Sequence, residues 1–170
     1  MNRVNDGRPE TGPSYTAVCE TPMGIHLGIQ VQDGMLIGLD FLSTRTALHA
    51  GRDELTREVV SQLQRYYADP TWKFDLPIRL QGTGYQQRVW RLMRQIRAGK
   101  TESYGGLAKK LSSSARAVGG ACRANPVPII VPCHRVVASH GIGGFAGDGS
   151  GGRVALKHWL LRHEGLTGLK

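Results

Sequence analysis

Residues 15–42, YTAVCETPMGIHLGIQVQDGMLIGLDFL, alternate apolar and small residues and interrupt that alternation twice, at Thr21-Pro22 and at Asp33-Gly34. A period of two places one set of side chains on one face of an extended strand. Asp-Gly between two such runs supplies the backbone angles of a tight hairpin turn. The segment is therefore expected to fold as a three-stranded antiparallel meander. A small sheet with one apolar face must bury that face against another element. The chain offers one at once: in 53–67, DELTREVVSQLQRYY, the residues Leu55, Val59, Val60, Leu63 and Tyr67 fall near one side of a helix that Asp69-Pro70 ends.

Beyond a link through Pro77 the pattern becomes helical. Residues 84–97, GYQQRVWRLMRQIR, repeat Val89, Leu92, Met93 and Ile96 at helical spacing, with Arg88, Arg91, Arg94 and Arg97 at every third position. This predicts one helix over 84–97 with a basic face. Residues 101–125, TESYGGLAKKLSSSARAVGGACRAN, predict a short helix over 105–111, a serine turn at 112–114 able to cap a further helix, and that second helix over 115–124. The arrangement is that of a helix-turn-helix. Its second helix carries Ala115, Ala117, Gly119, Gly120, Ala121 and Ala124, with Arg116 and Arg123 projecting from it. Glycine costs helix stability, so another body is expected to approach the backbone closely there, either a packed helix or a nucleic-acid groove.

Charge favours the groove. With 22 Lys and Arg against 13 Asp and Glu, the 170-residue chain has a net charge of +9 and a pI near 9.9, which suits a polyanionic partner. Charge alone does not separate nucleic acid from an anionic membrane surface. No apolar run approaches the ~20 residues of a membrane-spanning helix, and residues 1–14 lack a signal-peptide core, so a cytoplasmic protein is expected. The 3 cysteines, Cys19, Cys122 and Cys133, are widely spaced, and neither they nor the 6 histidines suggest a disulfide framework or a metal site.

One cysteine stands out. In IIVPCHRVV, residues 129–137, Cys133 is followed by His134 and Arg135. The thiolate is the nucleophilic form, and a nearby base and positive charge both favour it. Pro132 fixes its own backbone angle and stiffens the approach. Consecutive residues on an extended chain point to opposite faces, so His134 is expected to reach the sulfur through a bridging water. The competing reading is a small buried cysteine beside an ordinary histidine, the commoner outcome for an isolated Cys-His pair.

The surroundings of the pair decide between these readings. PCHRVV, preceded by ARAVGGACRANPVPIIV and followed by LKHWLLRHEG, closely resembles the O6-alkylguanine-DNA alkyltransferases, also called methylated-DNA–protein-cysteine methyltransferases. GYQQRVWRLMRQIRAGKTESYGGLA has the same family's pattern, so the resemblance covers about 82–165 closely and 15–75 in general layout. It implies an α/β (α+β) fold: a small N-terminal sheet-plus-helix domain of RNase H-like type over 1–77, then a mostly helical domain over 78–170 that holds the helix-turn-helix and the acceptor cysteine. It also implies a single-turnover repair protein that flips O6-alkylguanine out of double-stranded DNA and takes the alkyl group onto Cys133. O4-alkylthymine stays open as a second lesion.

Residue by residue, the resemblance makes His134 the base acting through water and Glu164 the group that orients and charge-stabilises it. Asn125 buttresses the turn. Tyr104 presses on the target phosphate and donates a hydrogen bond to the guanine. Arg116 fills the gap left by the flipped base, and Ala117, Gly120 and Arg123 meet DNA in the minor groove. The resemblance implies no metal, no cofactor, a monomer, and no membrane partner.

Without the resemblance, Glu164 reads as a solvated helix-end carboxylate, Tyr104 as a half-buried aromatic and Asn125 as a turn former. Trp90 and Trp159 read as packing residues and Cys19 as a structural one. Cys122 falls on the helix expected to meet DNA, with no base to activate it. The sequence departs from the family pattern at Phe145, where many members carry tyrosine, and in the glycine-rich stretch around 146–152, expected to form part of the pocket wall. Two other functions compete: a lesion-binding alkyltransferase-like protein without transfer chemistry, which the presence of Cys133 disfavours, and a cysteine hydrolase built on Cys133, His134 and Glu164.

Overall fold

A computed structural model describes residues 14–145 and 151–168. The meander is present as β1 (Ala17–Glu20), β2 (His26–Gln32) and β3 (Met35–Leu42), antiparallel in the order β1-β2-β3. Between β2 and β3, Asp33 and Gly34 both have positive φ, 50° and 70°, as a tight hairpin turn requires. The outer edge of β3 is covered. Leu36 N–H donates to Pro77 O at 2.8 Å and Leu39 N–H to Pro126 O at 2.9 Å, so both the link and a loop far downstream protect that edge.

Helix α1 (Glu54–Ala68) is capped by Asp53, whose carboxylate accepts from Thr56 N–H at 2.8 Å. Its buried face is Thr56, Val59, Gln62, Leu63 and Tyr66. This corrects the expectation for Tyr67: the helix is turned so that the 59, 62, 63, 66 row meets the sheet, while Leu55, Val60 and Tyr67 flank it half-buried. Helix α2 (Gly84–Met93) opens with a reciprocal cap between Thr83 and Gln86. It stops short of the expected Arg97. The amides of Gln95 and Ile96 tighten to the carbonyls of Leu92 and Met93, and Gly99 leaves the helical region altogether at φ 74°.

The helix-turn-helix is also present. Strand β4 (Glu102–Ser103) pairs in parallel with β5 (Val136–Val137), and Ser103 caps α3 (Tyr104–Lys110). The serine turn then ends in Ser114, whose hydroxyl accepts from Ala117 N–H and caps α4 (Ala115–Arg123). Helix α5 (Gly152–His163) closes the described chain. A single buried cluster joins Leu27, Ile29 and Leu36 of the sheet to Tyr66, Trp90, Val118, Cys133 and Leu160. The core thus runs across the 77/78 position at which two domains were expected. Trp90 is wholly buried as expected, and its indole N–H donates to Ala121 O at 2.8 Å, fastening α2 to α4. Among the described residues no helix is long and apolar enough to cross a membrane.

Candidate active site

The segment that carries Cys133 is held by Asn125. Its side-chain oxygen accepts from Val127 N–H at 3.0 Å, and its amide donates to Val131 O at 2.7 Å. Between those two anchors Ile129 has φ 72°, a left-handed angle that a β-branched residue adopts only under constraint, at a cost of about 1–3 kcal/mol. The Asn125 bonds, with Val131 N–H donating to Val127 O at 2.9 Å, supply the constraint. Next, Cys133–Arg135 forms one turn of 3-10 helix. The extended chain expected at this point is therefore corrected: Cys133 N–H and Arg135 N–H satisfy Val131 O and Pro132 O within the turn.

His134 is wholly buried, and its Nε2 lies 2.8 Å from Glu164 Oε1. Glu164 caps the C-terminus of α5 and is 7% exposed, so it is no solvated helix-end carboxylate. The same oxygen accepts from the Tyr66 hydroxyl at 2.9 Å and from Arg135 Nη2 at 2.8 Å, and Arg135 Nε reaches Oε2 at 3.0 Å. Burial alone would push the Glu164 carboxyl up, but His134 and Arg135 outweigh it and bring the pKa down to about 2. A carboxylate offers only acceptors, so His134 Nε2 must carry the proton that bonds to it. Its Nδ1 is then a free lone pair. That atom is buried with no hydrogen-bond partner among the described residues. Burial, offset in part by Glu164, holds the imidazole below its ordinary pKa, so it is neutral at pH 7.

Arg135 is half-buried and engaged with Glu164 and with Ile96 O, so its charge is directed at the carboxylate and not, as expected from sequence, at the thiol. The cation that acts on the sulfur is Lys157. It is 0% exposed, and its Nζ donates to Val136 O at 2.6 Å and Gly144 O at 3.0 Å and sits 5.6 Å from the Tyr104 ring centre. Burial lowers its pKa to about 8, while the two nearby thiols hold it up. Burial pushes the Cys133 thiol up, and the Asn125 amide and the Lys157 charge oppose that rise.

Sequence reading missed Lys157 and Tyr66. The signal for Lys157 was present: it shares a helical stripe with Leu160, Leu161 and Glu164, all four buried, where a lysine is out of place unless paired.

Cys133 borders a cavity of about 350 Å3 that is also lined by Leu39 and Phe41 of β3 and by Cys122, Asn125 and Pro128. The first half of the chain thus walls the site. Cys122 points inward, against Met93 Sδ at 3.5 Å, so its expected approach to DNA is corrected; burial raises its pKa to about 12. Phe145 is buried and packs on Phe41 at 5.7 Å between ring centres. The wall expected from the glycine-rich stretch lies, over 146–150, outside the described residues. Tyr104 is half-buried, and its hydroxyl donates to Gly144 O at 3.3 Å. Burial and the neighbouring thiols raise its pKa to about 12, so it keeps its proton at neutral pH.

On α4, Arg116, Gly120 and Arg123 are exposed and Ala117 is half-buried. A Cβ added at Gly119 or at Gly120 would meet no atom within 4 Å. Among the described residues, packing therefore does not require glycine at these two positions, whereas Ala121 of the same helix is buried against α2. Among the described residues no group of three or more His, Cys, Asp or Glu is placed to hold a metal ion.

The sequence model of the 6-O-methylguanine DNA methyltransferase DNA-binding domain matches residues 84–166. A methylated-DNA–protein-cysteine methyltransferase of Methanosarcina acetivorans is 34% identical, over 89% of this chain and 98% of that protein. The crystal structure of the Mycobacterium tuberculosis O6-methylguanine methyltransferase superposes with a TM-score of 0.73 at 34% identity, over 86% of this chain and 90% of the other. The M. tuberculosis protein OGT in complex with DNA gives a TM-score of 0.69 at 36% identity over the same shares.

Proposed function

Since the chain belongs to the methylated-DNA–protein-cysteine methyltransferases and repairs DNA by alkyl transfer to its own cysteine, we propose that Cys133 is the acceptor and His134 its base. The observation that carries this assignment is the 2.8 Å contact between His134 Nε2 and Glu164 Oε1, from which the proton position on His134 follows. With Nε2–H fixed on Glu164, the lone pair of Nδ1 is left to a neutral imidazole next to a buried thiol. A water between Sγ and Nδ1 relays the proton. Glu164, held by Tyr66 and Arg135, stabilises the imidazolium that results, and Lys157 and the Asn125 amide stabilise the thiolate.

The thiolate attacks the alkyl carbon in line. The S–C bond forms, the C–O6 bond breaks, and the electron pair leaves with the guanine. Tyr104, turning its hydroxyl from Gly144 O to the base, answers the charge that develops, as an oxyanion donor does. The thioether is not readily reversed, so each molecule acts once. Nothing in this sequence of steps calls on a metal or a redox group.

The substrate is O6-alkylguanine in double-stranded DNA. Reaching it requires flipping, since O6 lies in the stack and a damaged pair is cheaper to open. Helix α4 enters the minor groove, roughly 6 Å wide, where Ala117 and Gly120 keep its face slim, Arg123 meets the backbone and Arg116 takes the place of the extruded base. Residues 78–170 carry this machinery, and residues 1–77 supply Tyr66 and the β3 wall. The protein acts as a monomer in the cytoplasm.

The decisive experiment incubates the protein with duplex DNA bearing O6-methylguanine and measures its mass. A gain of one methyl on the peptide containing Cys133, absent in Cys133→Ala, is the expected result. Tight lesion binding without mass change would instead indicate a lesion sensor, and turnover of an ester would indicate a hydrolase.

A further inference from the structure

Cys133 faces one cavity, while Pro132 and Arg135 on either side of Cys133-His134 face another. This second cavity measures about 550 Å3, within the range of small-ligand and peptide-anchor sites. Its walls come from 71–74 after α1, from 94–98 after α2, and from the strained stretch before Cys133. No residue of α3 or α4 contributes to them.

The chemistry of the walls is divided. Trp72, Phe74 and Ile96 give a half-buried apolar surface, and Lys73, Arg94 and Arg97 stand exposed around it. None of these three cations has a carboxylate partner among the described residues, and no Asp or Glu lines the cavity. The Arg65 guanidinium lies 4.8 Å from the centre of the Trp72 ring, which occupies one face of that indole. Trp72 Nε1 is buried and has no acceptor among the described residues.

We propose that this cavity docks an acidic peptide segment of a partner protein. A large apolar side chain of the peptide seats on Trp72, Phe74 and Ile96, and neighbouring carboxylates pair with Lys73, Arg94 and Arg97. An apolar anchor inside a charged rim is the usual division of affinity and orientation at such sites. The guanidinium fork suits a carboxylate in two-point contact. A nucleic-acid strand fits less well: it needs open aromatic faces for its bases, and here Arg65 covers one face of Trp72 and Tyr66 packs against Phe74 at 5.5 Å between ring centres. The three rim cations make no hydrogen bond or ion pair with Cys133, His134 or Glu164 among the described residues, so the inference does not rest on the acceptor chemistry.

The test uses the full chain and a fluorescein-labelled short peptide that alternates aspartate with leucine and phenylalanine, read by fluorescence polarisation. Saturable, salt-sensitive binding is expected, weakened roughly tenfold or more in the double variant Arg94→Glu, Arg97→Glu. Both positions are exposed, so that variant should retain transfer to Cys133 from free O6-benzylguanine, which also reports that it is folded. A matched peptide with lysine in place of aspartate should not bind. The proposal is overturned if the charge reversal leaves peptide affinity unchanged or if the lysine peptide binds as well. It is equally overturned if a short single-stranded oligonucleotide competes at full strength and loses its own affinity in the same variant.

Discussion

The hydroxyl of Tyr66, on the first helix, donates 2.9 Å to Glu164 Oε1 at the end of the last, joining residues 98 apart in sequence. The carboxylate that fixes the proton of His134 is thus held from the half of the chain that carries none of the transfer chemistry. Tyr66→Phe keeps the ring contacts with Phe74 and His163 and removes only the hydroxyl. A hydrogen bond to a buried charged group contributes about 1.5–3 kcal/mol. Urea unfolding should show a loss of that order, and single-turnover transfer should slow severalfold. Unchanged transfer with full stability loss would make Tyr66 a purely structural residue.

Glu164 has a consequence for acid stability. Its pKa is near 2 in the fold against an ordinary value of 4.5. A depressed carboxyl adds stability that is fully present above the ordinary value and is lost as pH falls through the folded one. The shift corresponds to about 3 kcal/mol, disappearing between roughly pH 4.5 and pH 2. His134 acts in the same direction, since below its ordinary pKa of 6.5 the unfolded chain takes up a proton that the buried ring resists. Stability followed by melting should therefore fall steadily from pH 6.5 downward. In Glu164→Gln the lower part of that slope should flatten, though the protein starts less stable because Arg135 loses its partner.

Lys157 offers a sharper test of chemistry. Lys157→Met removes the positive charge that counters the burial of Cys133, so the thiol pKa should rise further. Transfer at neutral pH should drop roughly tenfold and recover in part at alkaline pH, where more thiolate forms. A loss that is uniform across pH would place the role of Lys157 in its bonds to Val136 O and Gly144 O and not in its charge.

How much of this was legible in the sequence depends on the range of the interactions. The Asp33-Gly34 turn and the serine cap of α4 are local devices, and each appears where the residue types put it. Tyr66 and Tyr67 are neighbours with nearly equal claims on the buried face of α1. Which one turns inward is settled by the sheet and by Glu164, neither of which is near in sequence. Arg135 was read as a charge beside the thiol because adjacency is all a sequence displays, whereas the fold brings it a carboxylate from 29 residues away. The end of α2 was overrun because Ile96 continues the apolar spacing. Its carbonyl instead accepts from Arg135, a contact that periodicity cannot encode.

Asn125 balances the strain at Ile129. Asn125→Ala frees Val127 N–H and Val131 O in a buried loop, each costing about 1–3 kcal/mol if left unpaired, and removes the clamp on a residue at φ 72°. The loop should relax, with a stability loss of at least 2 kcal/mol or so and greatly reduced transfer. Asn125→Asp keeps the acceptor for Val127 N–H but not the donor to Val131 O, and should lie between the two in both measurements.

Gly119 and Gly120 separate folding from DNA binding more cleanly than any residue of the core. A Cβ at Gly120 meets nothing within 4 Å beyond its own helix backbone among the described residues, and φ there is not positive, so Gly120→Leu should fold and even gain about 0.5–1 kcal/mol of helix propensity. If α4 enters the minor groove, the added bulk should weaken binding to lesion-bearing duplex at least tenfold while leaving transfer from free O6-benzylguanine intact. Arg116→Ala should divide the two substrates in the same direction for another reason, losing the residue proposed to hold the gap after flipping while leaving the groove fit untouched. Duplex affinity should therefore fall more in Gly120→Leu, and the rate of transfer from bound duplex more in Arg116→Ala. Equal losses on duplex and free base in both variants would remove α4 from the DNA interface altogether.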